Sequence, residues 1–133
     1  MTSQDNDMND YASLPDDIRS AVREAFHILD AWQATPDQGQ AILGIPAGKY
    51  EAWQQQAPAQ LDQEHLERIS YVLGIWKALR FLFPDNAGYK RWPQIPNKAE
   101  LFNGDRPIVI MSQGDKATLG RVRGWLDGWC GDT

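Results

Sequence analysis

The residues of this sequence that most readily bind metal ions or act as nucleophiles are His27, His65 and Cys130. Neither histidine has a second ligand at the spacing of a zinc site such as H-E-x-x-H, and nothing near Cys130 in sequence would activate a thiolate. The motifs G-x-G-x-x-G, the Walker loop and G-x-S-x-G, which bind nucleotide phosphates or present a nucleophilic serine, do not occur. We therefore predict that the protein is not an enzyme and holds no resident metal or cofactor.

A second set of polar side chains could contact DNA, and all of them lie in one short segment: Lys49, Tyr50, Gln54, Gln55 and Gln56. Glu51 in the same segment opposes phosphate binding. Residues 1–70 carry twelve Asp or Glu against four Lys or Arg, a net charge of −8, whereas residues 71–133 carry +3. Phosphate neutralisation supplies most non-specific DNA affinity. Two interpretations therefore remain open: weak DNA binding, or a surface for packing and dimerisation.

Six tryptophans form the third chemically distinctive set: Trp32, Trp53, Trp76, Trp92, Trp125 and Trp129. Most fall at periodic apolar positions, which predicts that they lie in the core. Trp125 and Trp129 are spaced i, i+4 near the end of the chain. Exposed aromatic anchors often dominate protein interfaces, so core packing and partner binding are both open for this pair.

The elements that position these side chains are predicted to be helices. A first helix runs from Leu14 to Trp32, with Ser13 as N-cap. Thr35-Pro36-Asp37-Gln38 forms a capping box that opens a short helix ending at Gly44, and another short helix spans residues 47–56. Two short helices around a glycine-containing turn are typical of a helix-turn-helix.

The second half is also predicted to be helical. Residues 62–83 form a long central helix that packs against both halves and ends at Pro84. Residues 89–96 read as a short helix or loop. Asn97 and Glu100 are predicted to form a capping box, with the turn closed at Asn103-Gly104. Residues 108–111 are favoured as helix because no strand exists to pair with them, and a last helix spans 115–129, with Leu119, Val122, Leu126 and Trp129 on one face. The predicted fold class is all-α.

The composition of the sequence indicates the cellular location of the protein. No apolar run approaches the roughly 20 residues that a membrane span needs, and the polar, acidic stretch 1–10 lacks the features of a secretory signal. A single cysteine excludes an intramolecular disulfide. We expect a cytoplasmic protein that does not associate with membranes, whose residues 1–13 form a disordered tail.

The second half contains a run of residues in a fairly specific order: Trp92-Pro93, Pro96-Asn97, Leu101-Phe102-Asn103-Gly104, Arg106-Pro107, Met111 and Gly114, followed by an amphipathic helix. From about residue 71 onward this run resembles the toxin-binding domain of the Xre/MbcA/ParS antitoxin family, and is most similar to its ParS- and MbcA-like members. Residues 35–56 resemble the divergent Xre-type helix-turn-helix that precedes this domain in the family.

The resemblance implies an antitoxin of a type II toxin–antitoxin system. Its partner would be a RES-domain toxin, an ADP-ribosyltransferase or NAD-degrading enzyme, whose NAD pocket the antitoxin occludes. It also implies a homodimer within a larger complex, with possible weak binding to operator DNA. The domains would be a helix-turn-helix-like part at 14–70 and a toxin-binding domain at 71–133. Five motif residues would chiefly set shape: Trp92, Pro96, Asn97, Gly104 and Pro107.

The resemblance places the toxin-binding candidates at the end of the chain: Arg121, Arg123, Trp125, Trp129, Cys130, Gly131, Asp132 and Thr133. A terminal carboxylate beside two arginines could take the place of an NAD phosphate in the toxin pocket. The alternative is a DNA-binding autorepressor whose second half mainly dimerises. The acidic first half predicts weak operator binding by the protein alone and stronger binding by a multivalent complex with the toxin.

Overall fold

The computed structural model describes residues 17–85 and 87–131, and within these ranges the chain forms helices and no strand. The predicted all-α fold class is therefore confirmed. The elements are α1 Ile18–Ala31, α2 Pro36–Leu43, α3 Ala47–Gln55, α4 Gln63–Leu82, α5 Gly88–Arg91, a 3-10 turn Trp92–Gln94, α6 Pro107–Met111 and α7 Lys116–Trp129. None of these helices is long and apolar enough to span a membrane.

Helix α4 is the centre of the fold and contacts α1, α2, α5 and α7. Its apolar residues are buried on more than one face, as predicted: Ile69, Val72, Leu73, Ile75, Trp76 and Leu79. The Asp62 carboxylate caps the helix by accepting the His65 amide at 3.0 Å. The predicted boundary at residue 70 lies inside α4, so the two halves share this helix and one continuous core.

Helix α1 begins at Ile18, where the Asp17 carboxylate accepts the Arg19 amide at 3.1 Å. The predicted start at Leu14 with Ser13 as cap is therefore wrong for this helix, because Asp17 supplies the cap. Ser13, Leu14 and the predicted disordered tail lie outside the described residues. Trp32, directly after α1, is fully buried and donates its indole N–H to the Tyr89 carbonyl at 3.3 Å. This bond joins the end of α1 to α5.

The predicted capping box at the start of α2 is confirmed. The Thr35 hydroxyl accepts the Gln38 amide at 3.1 Å, and the Gln38 side chain accepts the Thr35 amide at 2.9 Å. Gly44, with a φ of +72°, ends the helix in the left-handed conformation that favours glycine. Helix α3 then packs on α2 through Tyr50, whose hydroxyl would lie 2.1 Å from a Cβ at Gly39. The predicted helix-turn-helix connectivity is present.

The predicted capping box at Asn97 is wrong. No helix follows Asn97, and its side chain accepts the amide of Ala99, two residues on, at 2.9 Å. The backbone of Asn97 instead pairs across a loop, donating to the Asp105 carbonyl at 3.0 Å and accepting the Gly104 amide at 2.8 Å. Asparagine readily forms such short side-chain turns in place of a helix cap. The turn at Asn103 (φ +52°) and Gly104 (φ +87°) is as predicted.

The last two helices confirm the sequence predictions. Residues 107–111 form the short helix α6, and the Asp115 carboxylate caps α7 by accepting the Ala117 amide at 3.0 Å. Three apolar residues of α7 face the core: Leu119, Val122 and Leu126. Trp129 continues this face at the last position of the helix, where 67% of its surface is exposed.

Alanine in place of Gly124 or Gly128 is expected to raise the free energy of unfolding by about 0.5–1 kcal/mol. Both glycines lie inside α7, and a Cβ at either would meet nothing within 4 Å. Urea denaturation of each variant measures the change. Gly39→Ala is the matched control, because its added methyl would collide with Tyr50 and should destabilise the protein.

Candidate protein-binding site

The predicted toxin-binding residues of α7 lie on two different sides of the helix. Arg121, Trp125 and Trp129 follow one another at four-residue intervals along one side. Arg123 and Cys130 lie on the other side, against α4. The structure therefore separates Arg121 from Arg123. It describes Gly131, with a φ of +81°, whereas Asp132 and Thr133 lie outside the described residues.

The first side of α7 borders an open apolar depression of about 220 Å³, which we call the aromatic groove; it is lined by Leu82, Phe83, Trp92, Trp125, Leu126 and Trp129. Trp125 contacts Trp129 edge to face, with ring centroids 5.9 Å apart. The fully buried Phe102 ring lies 5.3 Å from Trp125, also edge to face. The buried Phe102 ring therefore supports Trp125, whereas Trp129 is largely exposed to solvent. The two tryptophans that the sequence could not separate thus occupy different environments.

The family-motif residues surround this groove in different ways. Trp92 lines it, a role that the sequence analysis did not assign to this residue. Pro107 is buried at the start of α6, while Asn97 and Gly104 close the preceding loop. Pro96 is exposed. Asn97, Gly104 and Pro107 thus lie where they can set the shape of this loop and of the start of α6.

The second side of α7 borders a depression of about 180 Å³, which we call the arginine groove; it is lined by Gly74, Lys77, Ala78, Phe81, Arg123, Asp127 and Cys130. The Cys130 thiol lies 3.8 Å from the Ala78 carbonyl oxygen. Phe81, like Trp129, is 67% exposed. The end of α7 therefore separates two grooves, each bordered by an exposed aromatic ring.

A buried arginine that the sequence analysis missed joins the two halves of the protein. The Arg68 guanidinium donates to the carbonyls of Ala41 (3.1 Å), Ile42 (3.2 Å) and Gly114 (2.9 Å) and to the Glu64 carboxylate (2.7 Å). These contacts link the end of α2, helix α4 and the loop before α7. An arginine four residues after a glutamate normally indicates an exposed helical ion pair, so the sequence gave no sign of burial.

Beside Arg68, the Lys116 ammonium pairs with the carboxylates of Glu64 and Glu67. The hydrogen bond from Lys116 holds the pKa of Glu67 below its usual value. The bond from Arg68, followed by that from Lys116, does the same for Glu64. The bond to Glu67 in turn raises the pKa of Lys116. This charged cluster holds α7 against the start of α4.

Stability is expected to fall when the pH is lowered through the acidic range. A carboxyl group with a lower pKa in the folded state contributes stability above its unfolded pKa, near 4.3 for glutamate, and loses it as pH falls through the folded pKa. Glu67→Gln should be less stable than the wild type at pH 7 and lose less stability between about pH 5 and pH 3. Urea denaturation across this range measures both. An equal pH dependence in the two proteins would contradict the assignment.

The candidate DNA-contacting residues, which lie on α3 or directly after it, divide into exposed and buried positions. Lys49, Gln54, Gln55 and Gln56 are exposed. Tyr50 is only 6% exposed and packs edge to face on Phe26, so little of its side chain is available to contact DNA. Burial, together with the charge of Asp30, raises the pKa of the Tyr50 phenol.

The two histidines occupy separate places. His65 lies 2.6 Å from the Asp62 carboxylate and 3.4 Å from the Gly44 carbonyl, which ties the start of α4 to the end of α2. His27 is exposed and stands beside the Trp76 ring. Within residues 17–85 and 87–131, no three or more His, Cys, Asp or Glu side chains form a group that could hold a metal ion.

The described fold and grooves define a small all-helical protein with an open aromatic surface at the end of its last helix. It belongs to the same family as the uncharacterized protein y4oB of Sinorhizobium fredii, with 32% identity over 120 residues that cover 90% of this chain and 88% of the relative. No family model matches the sequence. The name of this relative specifies no activity.

Proposed function

We propose that the protein is the antitoxin of a type II toxin–antitoxin pair. It neutralises a RES-type toxin, an ADP-ribosyltransferase or NAD-degrading enzyme, by binding it directly and occluding its NAD pocket. The observation that carries the proposal is the aromatic groove with its exposed Trp129. This groove lies in the part of the chain that resembles an antitoxin's toxin-binding domain.

The chemistry of the groove suits a protein partner. Its lining is apolar, and Trp129 offers a large rigid side chain that binding would bury. Trp125, supported by Phe102 from below, provides a preorganised wall, which reduces the entropy lost on association. The protein acts as a stoichiometric inhibitor in this proposal, and a homodimer would carry two such surfaces.

Co-expression with the product of the adjacent gene tests the proposal. The expected result is a stable complex, in which NAD consumption by the RES-type partner is silenced and returns when the two proteins are separated. The partner alone and the complex are assayed at equal concentrations. Failure to form a complex, or full NAD consumption within it, would reject the antitoxin function.

The second candidate is a transcriptional regulator that binds its own operator. It is favoured by the α2-turn-α3 connectivity and by the exposed Lys49, Gln54 and Gln55 on α3. The net charge of −8 on residues 1–70 opposes tight binding by the protein alone. Titration of operator DNA at several salt concentrations, with and without the RES-type partner, separates the candidates. Tight binding without any partner would favour the regulator.

A further inference from the structure

The arginine groove depends on a glycine in the middle of the central helix. A Cβ at Gly74 would lie 2.5 Å from Cζ and Nε of Arg123 and 2.6 Å from its Nη1. Glycine weakens a helix interior relative to alanine. Here its missing side chain lets the Arg123 guanidinium lie directly against the backbone of α4. Gly74 therefore fixes where this guanidinium is presented.

The Arg123 guanidinium has more N–H donors than Asp127 can accept. Its Nε lies 3.5 Å from an Asp127 carboxylate oxygen, at the long end of an ion pair. Within the described part of the chain, the structure shows no hydrogen bond from Arg123, and 31% of its side chain is exposed. A guanidinium presents five N–H groups in a planar fork that fits a carboxylate. Asp127 therefore leaves most of this fork available to a second carboxylate.

The neighbours of Arg123 favour the same ligand. Lys77 is exposed on the wall of the groove, so two cations face one carboxylate there. Phe81 offers an exposed apolar ring beside them. The charge extends beyond the groove, since residues 71–131 contain nine Lys or Arg and five Asp or Glu. A partner of complementary charge would present acidic side chains to this surface.

We infer that the arginine groove binds an Asp or Glu side chain of the partner protein. Arg123 and Lys77 pair with its carboxylate, and Phe81 packs against its apolar stem. This inference rests on the proposed function, because the partner is the RES-type toxin. Leu126 and Trp129 line one groove while Asp127 and Cys130 line the other. The toxin therefore holds the end of α7 from both sides.

The test measures binding of purified full-length variants to the product of the adjacent gene, which under the proposed function is the RES-type protein. Gly74→Ala is expected to weaken binding about 10-fold, because the added methyl displaces the guanidinium. Its melting temperature should stay the same or rise, because alanine favours the helix and meets only the movable end of Arg123. Arg123→Gln should weaken binding by a similar factor, and the double variant no further. Both losses should shrink at high salt.

Two controls separate this effect from general damage. Gly48→Ala makes the same substitution inside α3, where nothing lies within 4 Å, and Lys98→Gln removes an exposed cation outside the groove. Both should bind as the wild type does. If Gly74→Ala and Arg123→Gln also bind normally while loss of Trp129 abolishes binding, the arginine groove is not a binding site and the antitoxin proposal stands. If the wild-type protein forms no complex, both proposals fall.

Discussion

Under the proposed antitoxin function, Trp129→Ala is expected to weaken binding to the RES-type partner by about 100-fold or more, and to leave NAD consumption active at concentrations where the wild type would silence it. Tryptophans at the centre of interfaces commonly cost 2 kcal/mol or more when truncated, and a 100-fold loss corresponds to about 2.7 kcal/mol. The residue is 67% exposed in this structure, so most of the area that binding would bury is still available. Calorimetric titration and an NAD assay measure the two effects.

The same substitution should change the free energy of unfolding by no more than about 1 kcal/mol, because it removes mainly the edge contact between the Trp129 and Trp125 rings. Ile95→Ala is the matched control. Ile95 is 53% exposed and lies outside the aromatic groove, beside Lys90 and Arg91. It should leave both binding and stability unchanged. Undiminished neutralisation by Trp129→Ala would show that the aromatic groove is not the toxin-binding surface.

Local signals made the helices predictable from the sequence. The capping box at Thr35, the stop at Gly44 and the break at Pro84 each depend on a few neighbouring residues, and all three lie where predicted. The Asn97 prediction failed because N-x-x-E is only a local pattern. The partner that decides the conformation is Asp105, which pairs with the Asn97 backbone after the chain has reversed. That contact has no signature in the residues next to Asn97.

The candidate site was partly predictable. Arg121 and Arg123 stand two positions apart, and residues at i and i+2 of a helix do not share a face. The sequence alone could therefore have placed them on different sides of α7. The exposure of Trp129 could not be predicted in this way, because it depends on where the helices that pack against α7 end. The burial of Tyr50 likewise depends on the close approach of α2 at Gly39.

Arg68→Ala is expected to lower the free energy of unfolding by about 3 kcal/mol or more, the largest single effect on stability that we predict. A buried hydrogen-bonding group left without its partner typically costs about 1–3 kcal/mol, and this variant leaves several such groups. Three carbonyls would lose a donor in this variant, those of Ala41, Ile42 and Gly114. Urea denaturation measures the loss.

Arg68→Lys separates charge from geometry. A lysine keeps the positive charge but has a single nitrogen, which cannot reach both the end of α2 and the loop before α7. This variant should therefore remain well below the wild type in stability. Arg80→Ala removes an exposed arginine from the same helix, where its guanidinium lies over the Tyr89 ring, and should cost no more than about 1 kcal/mol.

Loss of Arg68 should lower local stability in both halves of the protein. The Arg68 guanidinium connects α2 with the residue before the Asp115 cap of α7, so its removal should speed amide hydrogen exchange at both places. Lys116 and its two glutamates would still connect α4 to α7, but these side chains are more exposed and contribute less. Faster exchange in α2 alone, with α7 unchanged, would show that Arg68 stabilises α2 without joining it to α7.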